Sequence, residues 1–268
     1  MIDKSKYPFL AAVVFVFLVS AAAAAQDPPK VVHVFVALCD NRYQGIVPVP
    51  ARLGDGDDPG SNLYWGARYG VKAFLKRSPR WKWMSTTGNP IPAHSPVLER
   101  CLFRHASGNV FLIADAYQGR QIRQTVKDFL DSAAGALRAA CPLPAGSLTR
   151  ELPAYGGADL LIYVGHDGLM DFRLPSYPQK QDDRQREVMI LACLSKLYFS
   201  EPIARSGAEP LLWTTGLMAP EAYTLESAVE GWILQESAEK IRLRAATAYN
   251  AYQRCGLNAA KRLWATGR

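Results

Sequence analysis

Five short stretches of this chain are apolar at nearly every position, and polar or Gly/Pro-rich segments bound each of them. They are Val31 to Leu38, Val110 to Ala114, Leu160 to Val164, Val188 to Cys193 and Pro210 to Thr215. A run of that length with no polar alternation predicts a strand covered on both faces, as in a parallel sheet. Between them the period changes to that of a helix. Leu63, Ala67, Val71 and Phe74-Leu75 predict a helix over Leu63 to Lys76, stopped by Pro79. Ile122, Val126, Phe129-Leu130 and Ala133 predict a second amphipathic helix, with Pro142 and Pro144 beyond it. A third is expected through Leu197 to Ala204, and a long helical region follows Glu221. Val97 to His105 and Val110 to Ala114, joined by Ser107-Gly108-Asn109, predict a hairpin. Strands alternating with helices, without internal repeats, predict an α/β fold: a three-layer α/β/α sandwich around a mostly parallel sheet.

The first residues do not belong to that pattern. Lys4 and Lys6, the apolar stretch from Phe9 to Val19 and the alanines from Ala21 to Ala25 have the layout of a secretory signal peptide cleaved after Ala25. An uncleaved anchor is the other reading, because Pro8 to Ala25 is nearly long enough to span a bilayer. Residues 26–268 then form one domain, about 240 residues that suffice for a full core. The expected location is secreted or periplasmic, with no membrane association after cleavage. The leader carries Lys4, Lys6 and Asp3, so its loss takes the formal net charge from +7 to +6. That charge is scattered, with no basic stripe or binding motif, and predicts no nucleic-acid partner.

Five cysteines are an odd number for an exported chain. With Cys193 free, Cys39, Cys101, Cys141 and Cys255 can make two disulfides in three connectivities, or several are simply small buried apolar residues. No Cys-x-x-Cys pair points to a zinc ribbon or a thioredoxin-type site.

The chemistry worth testing lies at two strand ends. The third apolar run finishes in Gly165-His166-Asp167-Gly168 and the fourth in Ala192-Cys193. Open α/β sheets place their sites at carboxyl strand ends. An imidazole and a thiol brought to one edge form a nucleophile–base pair. Taken singly, His166 reads as a strand-end cap and Cys193 as an inert buried thiol; taken together they point to catalysis.

The paired blocks Leu161-Ile162-Tyr163-Val164-Gly165-His166 and Ile190-Leu191-Ala192-Cys193, their order and the surrounding elements resemble the caspase-like (clan CD) cysteine peptidases, nearest the bacterial CHAT-type and gingipain-like branch. The resemblance covers roughly Val31 to Trp232. It implies a cysteine endopeptidase with Cys193 as nucleophile and His166 as its acid–base partner, acting on peptide or protein substrates without cofactor or metal. It also implies an oxyanion hole made by backbone N–H groups. The family has glycine directly after the histidine, whereas here Asp167 precedes Gly168. The donor beside Cys193 is therefore Asp167 N–H, Gly168 N–H or neither. In that family the ends of the first and fifth strands line the pocket for the residue before the cut. Here that implies Asp40 and Arg42, and Trp213 and Thr214, a mixed set that names no preferred residue.

Three further features are weighed on their residues alone. Asp171 either orients an imidazole or is one more solvated acid after a strand. Asp55-Gly56-Asp57-Asp58 has carboxylates at a spacing suited to calcium but lacks the distal Glu, which leaves a solvated loop as the other reading. Arg80-Trp81-Lys82-Trp83 reads as an amphipathic edge strand or as a surface contacting glycan or peptide. The rival to a peptidase is a non-catalytic caspase-like module that binds peptide or glycan through the same cleft.

Overall fold

The expected parallel strands lie side by side in one sheet. A computed structural model describes residues 28–90, 95–144 and 151–267; the leader at 1–25 lies outside the described residues. In chain order the elements are β1 (Lys30–Ala37), α1 (Val71–Arg77), β2 (Trp81–Gly88), β3 (Val97–His105), β4 (Val110–Tyr117), α2 (Ile122–Ala134), β5 (Arg138–Pro142) and β6 (Glu151–Tyr155). They continue as β7 (Leu160–Val164), β8 (Glu187–Leu191), α3 (Ser195–Ser206), β9 (Glu209–Thr214), α4 (Ala222–Ile233), α5 (Ala238–Gln253), α6 (Leu257–Leu263) and β10 (Trp264–Ala265). Eight strands form a mixed sheet in the order β10-β9-β8-β7-β1-β4-β3-β2. The five from β9 to β4 are mutually parallel, while β10, β3 and β2 add antiparallel edges.

Both faces are covered. Val32, Val34 and Val36 of β1 point into a core closed by α1, α4 and α5, through Val71, Leu75, Leu225, Val229 and Ile241. Val31 and Phe35 point the other way, onto α2 and α3, where Ile122, Val126, Phe129 and Leu130 meet Phe199 and Ile203. The apolar positions that predict α2 are thus its buried stripe. The β1-to-β4 connection packs α1 on one face, while the connections stepping back across the sheet pack α2 and α3 on the other. Crossovers of a single hand require that arrangement. Chain order reverses at β1, so a crevice is expected between the carboxyl ends of β1 and β7.

Differences from the sequence expectation have local causes. The helix expected from Leu63 begins only at Val71. Asn62, fully buried, accepts from the N–H of Cys39 and of Tyr64 and donates to the carbonyls of Cys39 and Asp55, so the chain up to Gly70 turns around its side chain. The Arg80–Trp83 segment enters β2, the edge strand. Trp81 is buried, the Lys76 ammonium covers the exposed Trp83 ring, and the register shifts between Trp83 and Ser85. A separate ladder of β5 and β6 went unanticipated because Pro142 and Pro153 read as loop.

The expected disulfides are absent: all five cysteines are free. Cys101 packs in the α1-side core and Cys141 in the α2-side core, so the sheet separates them. Cys39 is fully buried and Cys255 is exposed beyond α5. Burial pushes the Cys39 thiol up to about 11 and the Cys101 thiol up to about 12, as expected of inert core residues. Among the described residues no helix is long and apolar enough to cross a membrane.

Candidate functional site at the carboxyl edge of the sheet

β7 and β8 run in parallel, with Val164 opposite Leu191. The Gly165 N–H continues the ladder to the Leu191 carbonyl at 3.3 Å. Two residues beyond that pair lie His166 on one strand end and Cys193 on the next. Both sit at the same sheet edge, beside the switch point. Reaching it requires the chain to bend at Gly165, whose φ is +147°. A Cβ there would lie 2.9 Å from the Ala37 carbonyl oxygen, so glycine is required both by the backbone angle and by the close approach of β1.

His166 is held on two sides. The Tyr163 hydroxyl donates to its carbonyl at 2.7 Å. Its Nε2 lies 2.7 Å from Asp171 Oδ2, which also accepts the Gly45 N–H at 2.9 Å. Asp171 therefore joins the loop after β1 to the imidazole, the orienting alternative rather than the solvated one. A carboxylate at Nε2 places the ring proton there and leaves Nδ1 as the free lone pair. Nδ1 has no hydrogen-bond partner among the described residues, and no hydrogen bond joins His166 to Cys193.

Cys193 is half-buried. Its Sγ accepts the Met218 N–H at 3.3 Å and lies 3.5 Å from the Met218 carbonyl oxygen. Burial pushes the thiol up, the Met218 N–H pulls it down, and the nearby Asp167 charge raises it again. The resting group is a thiol rather than a thiolate. Leu194, next in the chain, takes the left-handed conformation at φ +49°, turning the strand end into α3. Ser195 and Thr214 lock that turn. Thr214 Oγ1 accepts the Ser195 N–H at 3.1 Å and donates to the Ala192 carbonyl.

Asp167 is fully buried. Its Oδ1 accepts the Leu169 N–H at 3.0 Å and so starts the 3₁₀ turn Gly168–Met170. Its Oδ2 is buried without a hydrogen-bond partner, and loss of water pushes the carboxyl up to about 7. Among the described residues, the N–H groups of Asp167, Gly168 and Cys193 donate to no other group of the chain.

The expected pocket residues lie at or just beyond the ends of β1 and β9. Asp40 is buried and caps its own turn, accepting the N–H of Arg42 and of Tyr43. Arg42 is exposed on that turn. Trp213 is buried in the α3-side core and Thr214 is occupied by the α3 turn, so both shape the edge from within. Sequence reasoning missed the residues that do bond at the thiol. Met218 bonds Cys193 directly, and the next residue, Ala219, gives its N–H to the Tyr249 hydroxyl at 3.2 Å. The Met218–Ala219 segment links Cys193 to Tyr249, and nothing in their spacing announces it.

The acidic loop satisfies its own backbone: Asp55 accepts the Asp57 N–H at 2.9 Å and Asp58 accepts the Gly60 N–H at 2.7 Å. Among the described residues no cluster of His, Cys, Asp or Glu is arranged to hold a metal. A comparison with known protein families, curated proteins and solved structures finds no match to this chain.

Proposed function

We propose that this protein is a caspase-like cysteine endopeptidase in which Cys193 and His166 act as a dyad. The observation that carries the reading is the β7–β8 register, which sets both side chains two residues past the Val164–Leu191 pair at the edge where chain order reverses. In this reading Cys193 Sγ attacks the carbonyl carbon of the scissile peptide, and its proton passes to the Nδ1 lone pair of His166. The free N–H groups at Cys193 and at Asp167 or Gly168 receive the developing oxyanion. Collapse breaks the C–N bond, the imidazolium returns its proton to the leaving amine, and water then hydrolyses the thioester. Asp171 holds the ring in the tautomer this needs. A resting thiol that makes no hydrogen bond to His166 agrees with a dyad that assembles only around substrate. The basic, apolar and alanine-rich leader supports action outside the cytoplasm.

The second reading, a peptide-binding module without turnover, draws on the same thiol. Cys193 is held by Met218 and its pKa is raised, the reverse of an activated nucleophile. One experiment separates the two. A peptidyl acyloxymethyl ketone should label Cys193 in preference to the exposed Cys255, and Cys193→Ala should abolish peptide cleavage while the protein stays folded. Peptide cleavage that survives Cys193→Ala refutes the dyad; binding without labelling or cleavage establishes the module.

A further inference from the structure

The loop after β1 reaches the dyad at one residue. The Gly45 N–H donates to Asp171 Oδ2 at 2.9 Å, and the same oxygen lies 2.7 Å from His166 Nε2. One carboxylate oxygen thus receives the imidazole and a backbone N–H from a segment 126 residues earlier. The backbone of Gly45 is not left-handed, so its angles would admit any side chain. Space would not. A Cβ there would lie 3.0 Å from Asp171 Cγ, 3.1 Å from Oδ2 and closer still to Oδ1. Gly45 meets the carboxylate with its N–H on one oxygen and a bare Cα against the other.

Both sides of that contact are braced from behind. Gln44 is buried; its amide donates to the Leu38 carbonyl at 2.7 Å and to the Gly119 carbonyl at 3.0 Å, and its oxygen accepts the Asp40 N–H. The Val49 N–H and carbonyl bond to the Asn41 side chain at 3.0 and 2.8 Å, which closes the loop four residues beyond Gly45. Across the contact, the Asp171 N–H donates to the Gly168 carbonyl at 3.0 Å and fixes its backbone to the 3₁₀ turn. What is left free is rotation of the Asp171 side chain, which is 34 % exposed and has solvent to turn into. Gly45 is the group that opposes that rotation.

We infer that Gly45 is a positioning residue: it pins the Asp171 carboxylate and through it sets the His166 ring. Its effect on turnover rests on the peptidase reading; its hold on the ring does not. A methyl at position 45 displaces the carboxylate, and a misplacement on the order of 1 Å at a reacting group costs about 10²-fold in rate.

The test compares Gly45→Ala, Asp171→Ala and the double variant with wild type, by two readouts. The first is proton NMR, in which a shielded imidazole N–H that donates to a carboxylate gives its own far-downfield line. The buried His166 should give one, identified by its absence in His166→Gln. His33 should give another, because its Nδ1 accepts the Tyr155 N–H and its Nε2 donates to Asp115 in the core. Gly45→Ala should shift or remove the His166 line and leave the His33 line in place. The second readout is kcat/KM on a cleaved peptide. Gly45→Ala should lower it about 10–100-fold. Added to Asp171→Ala it should cost nothing further, since the methyl then meets no carboxylate. A His166 line unchanged by Gly45→Ala overturns the inference, and so do losses that multiply in the double variant. Loss of both lines means that Gly45 serves the fold as a whole, and overturns it too. If the wild type cuts no peptide, the peptidase reading falls, and the two lines alone decide whether Gly45 sets the ring.

Discussion

Asp167→Asn should stabilise this protein by an amount that grows with pH. The wild-type carboxyl is fully buried, with one oxygen on the Leu169 N–H and the other without a partner. Burial moves its pKa from 3.8 to about 7. The folded-state value lies above the unfolded one. The associated stability is therefore fully present below about 3.8 and is lost as pH rises through about 7. At ~1.36 kcal/mol per unit, the raised pKa costs about 4 kcal/mol near pH 8.5, where the folded group is ionised, and under 2 kcal/mol near pH 5, where it is protonated. Asparagine accepts the same N–H, is as good an N-cap, and presents an N–H where the neutral acid presents its O–H. Its own burial cost is the same at both pH values and cancels in the comparison. The gain over wild type should then be about 2–3 kcal/mol larger near pH 8.5 than near pH 5. Urea titrations at the two pH values, followed by tryptophan fluorescence, measure it directly. In a melt it corresponds to a further 4–12 °C or so at the higher pH. A difference that does not change with pH, or one that favours aspartate near pH 8.5, would mean that the carboxylate finds a partner the structure does not give it. The same substitution removes a negative charge that raises the Cys193 thiol, so iodoacetamide should alkylate Cys193 faster above pH 7.

Arg100→Met should destabilise by about 3–5 kcal/mol, read as a urea midpoint, because it strands the buried Asp115 carboxylate that Arg100 grips at 2.6 Å through both Nε and Nη2; a loss below 1 kcal/mol refutes that account. Burial and the Arg100 and His33 contacts together leave Asp115 at about 2. Its stabilisation is present above about 3.8 and should disappear as pH falls toward 2, a loss the Arg100→Met variant should no longer show in acid titrations. Gly165→Ala should cost about 1–3 kcal/mol from its backbone angle alone, with the contact on the Ala37 carbonyl added; an unchanged melting temperature sinks the claim that this bend needs glycine. Denatured without reductant, the full set of five thiols should react with Ellman's reagent, and in the native state Cys255 should react well before Cys39, Cys101 and Cys141; fewer reactive thiols after denaturation means that a disulfide exists.

How much of this was legible in the chain depends on whether the information is local. β1, β4, β7, β8 and β9 are buried on both faces, so each writes its burial as an unbroken apolar run, and α2 writes its single buried stripe as a 3.6-residue period. The strand ends bearing His166 and Cys193 follow from those runs, and their sharing one edge follows from the strands being parallel. What stayed hidden is set by contacts across long separations. His33 interrupts the first apolar run with no visible reason, because its partner Asp115 is 82 residues away; its other ring nitrogen takes the Tyr155 N–H from farther still. Asn62 bends the Leu63–Gly70 segment out of the helix its spacing suggests by bonding to Cys39, 23 residues earlier. Asp171 and His166 are close in sequence, but their pairing depends on the 3₁₀ turn between them, and no spacing rule specifies that turn.

The central position of β1 has a consequence for how the molecule comes into being. It is the first of the described strands, yet its neighbours arrive late: Lys30 pairs with Val110, and Val32 with Leu160. At the usual 5–20 residues per second, the 128 residues between Val32 and Leu160 take about 6–26 s to synthesise. For the first 80 of them Val-Val-His-Val-Phe-Val-Ala-Leu has neither of its strand partners, and until Leu160 is made it has only β4. Sequence-distant parallel pairing is also the slowest kind to form. Refolding from denaturant should accordingly be slow and its yield should fall with protein concentration, as chains capture one another's first strand before their own Leu160–Val164 reaches it.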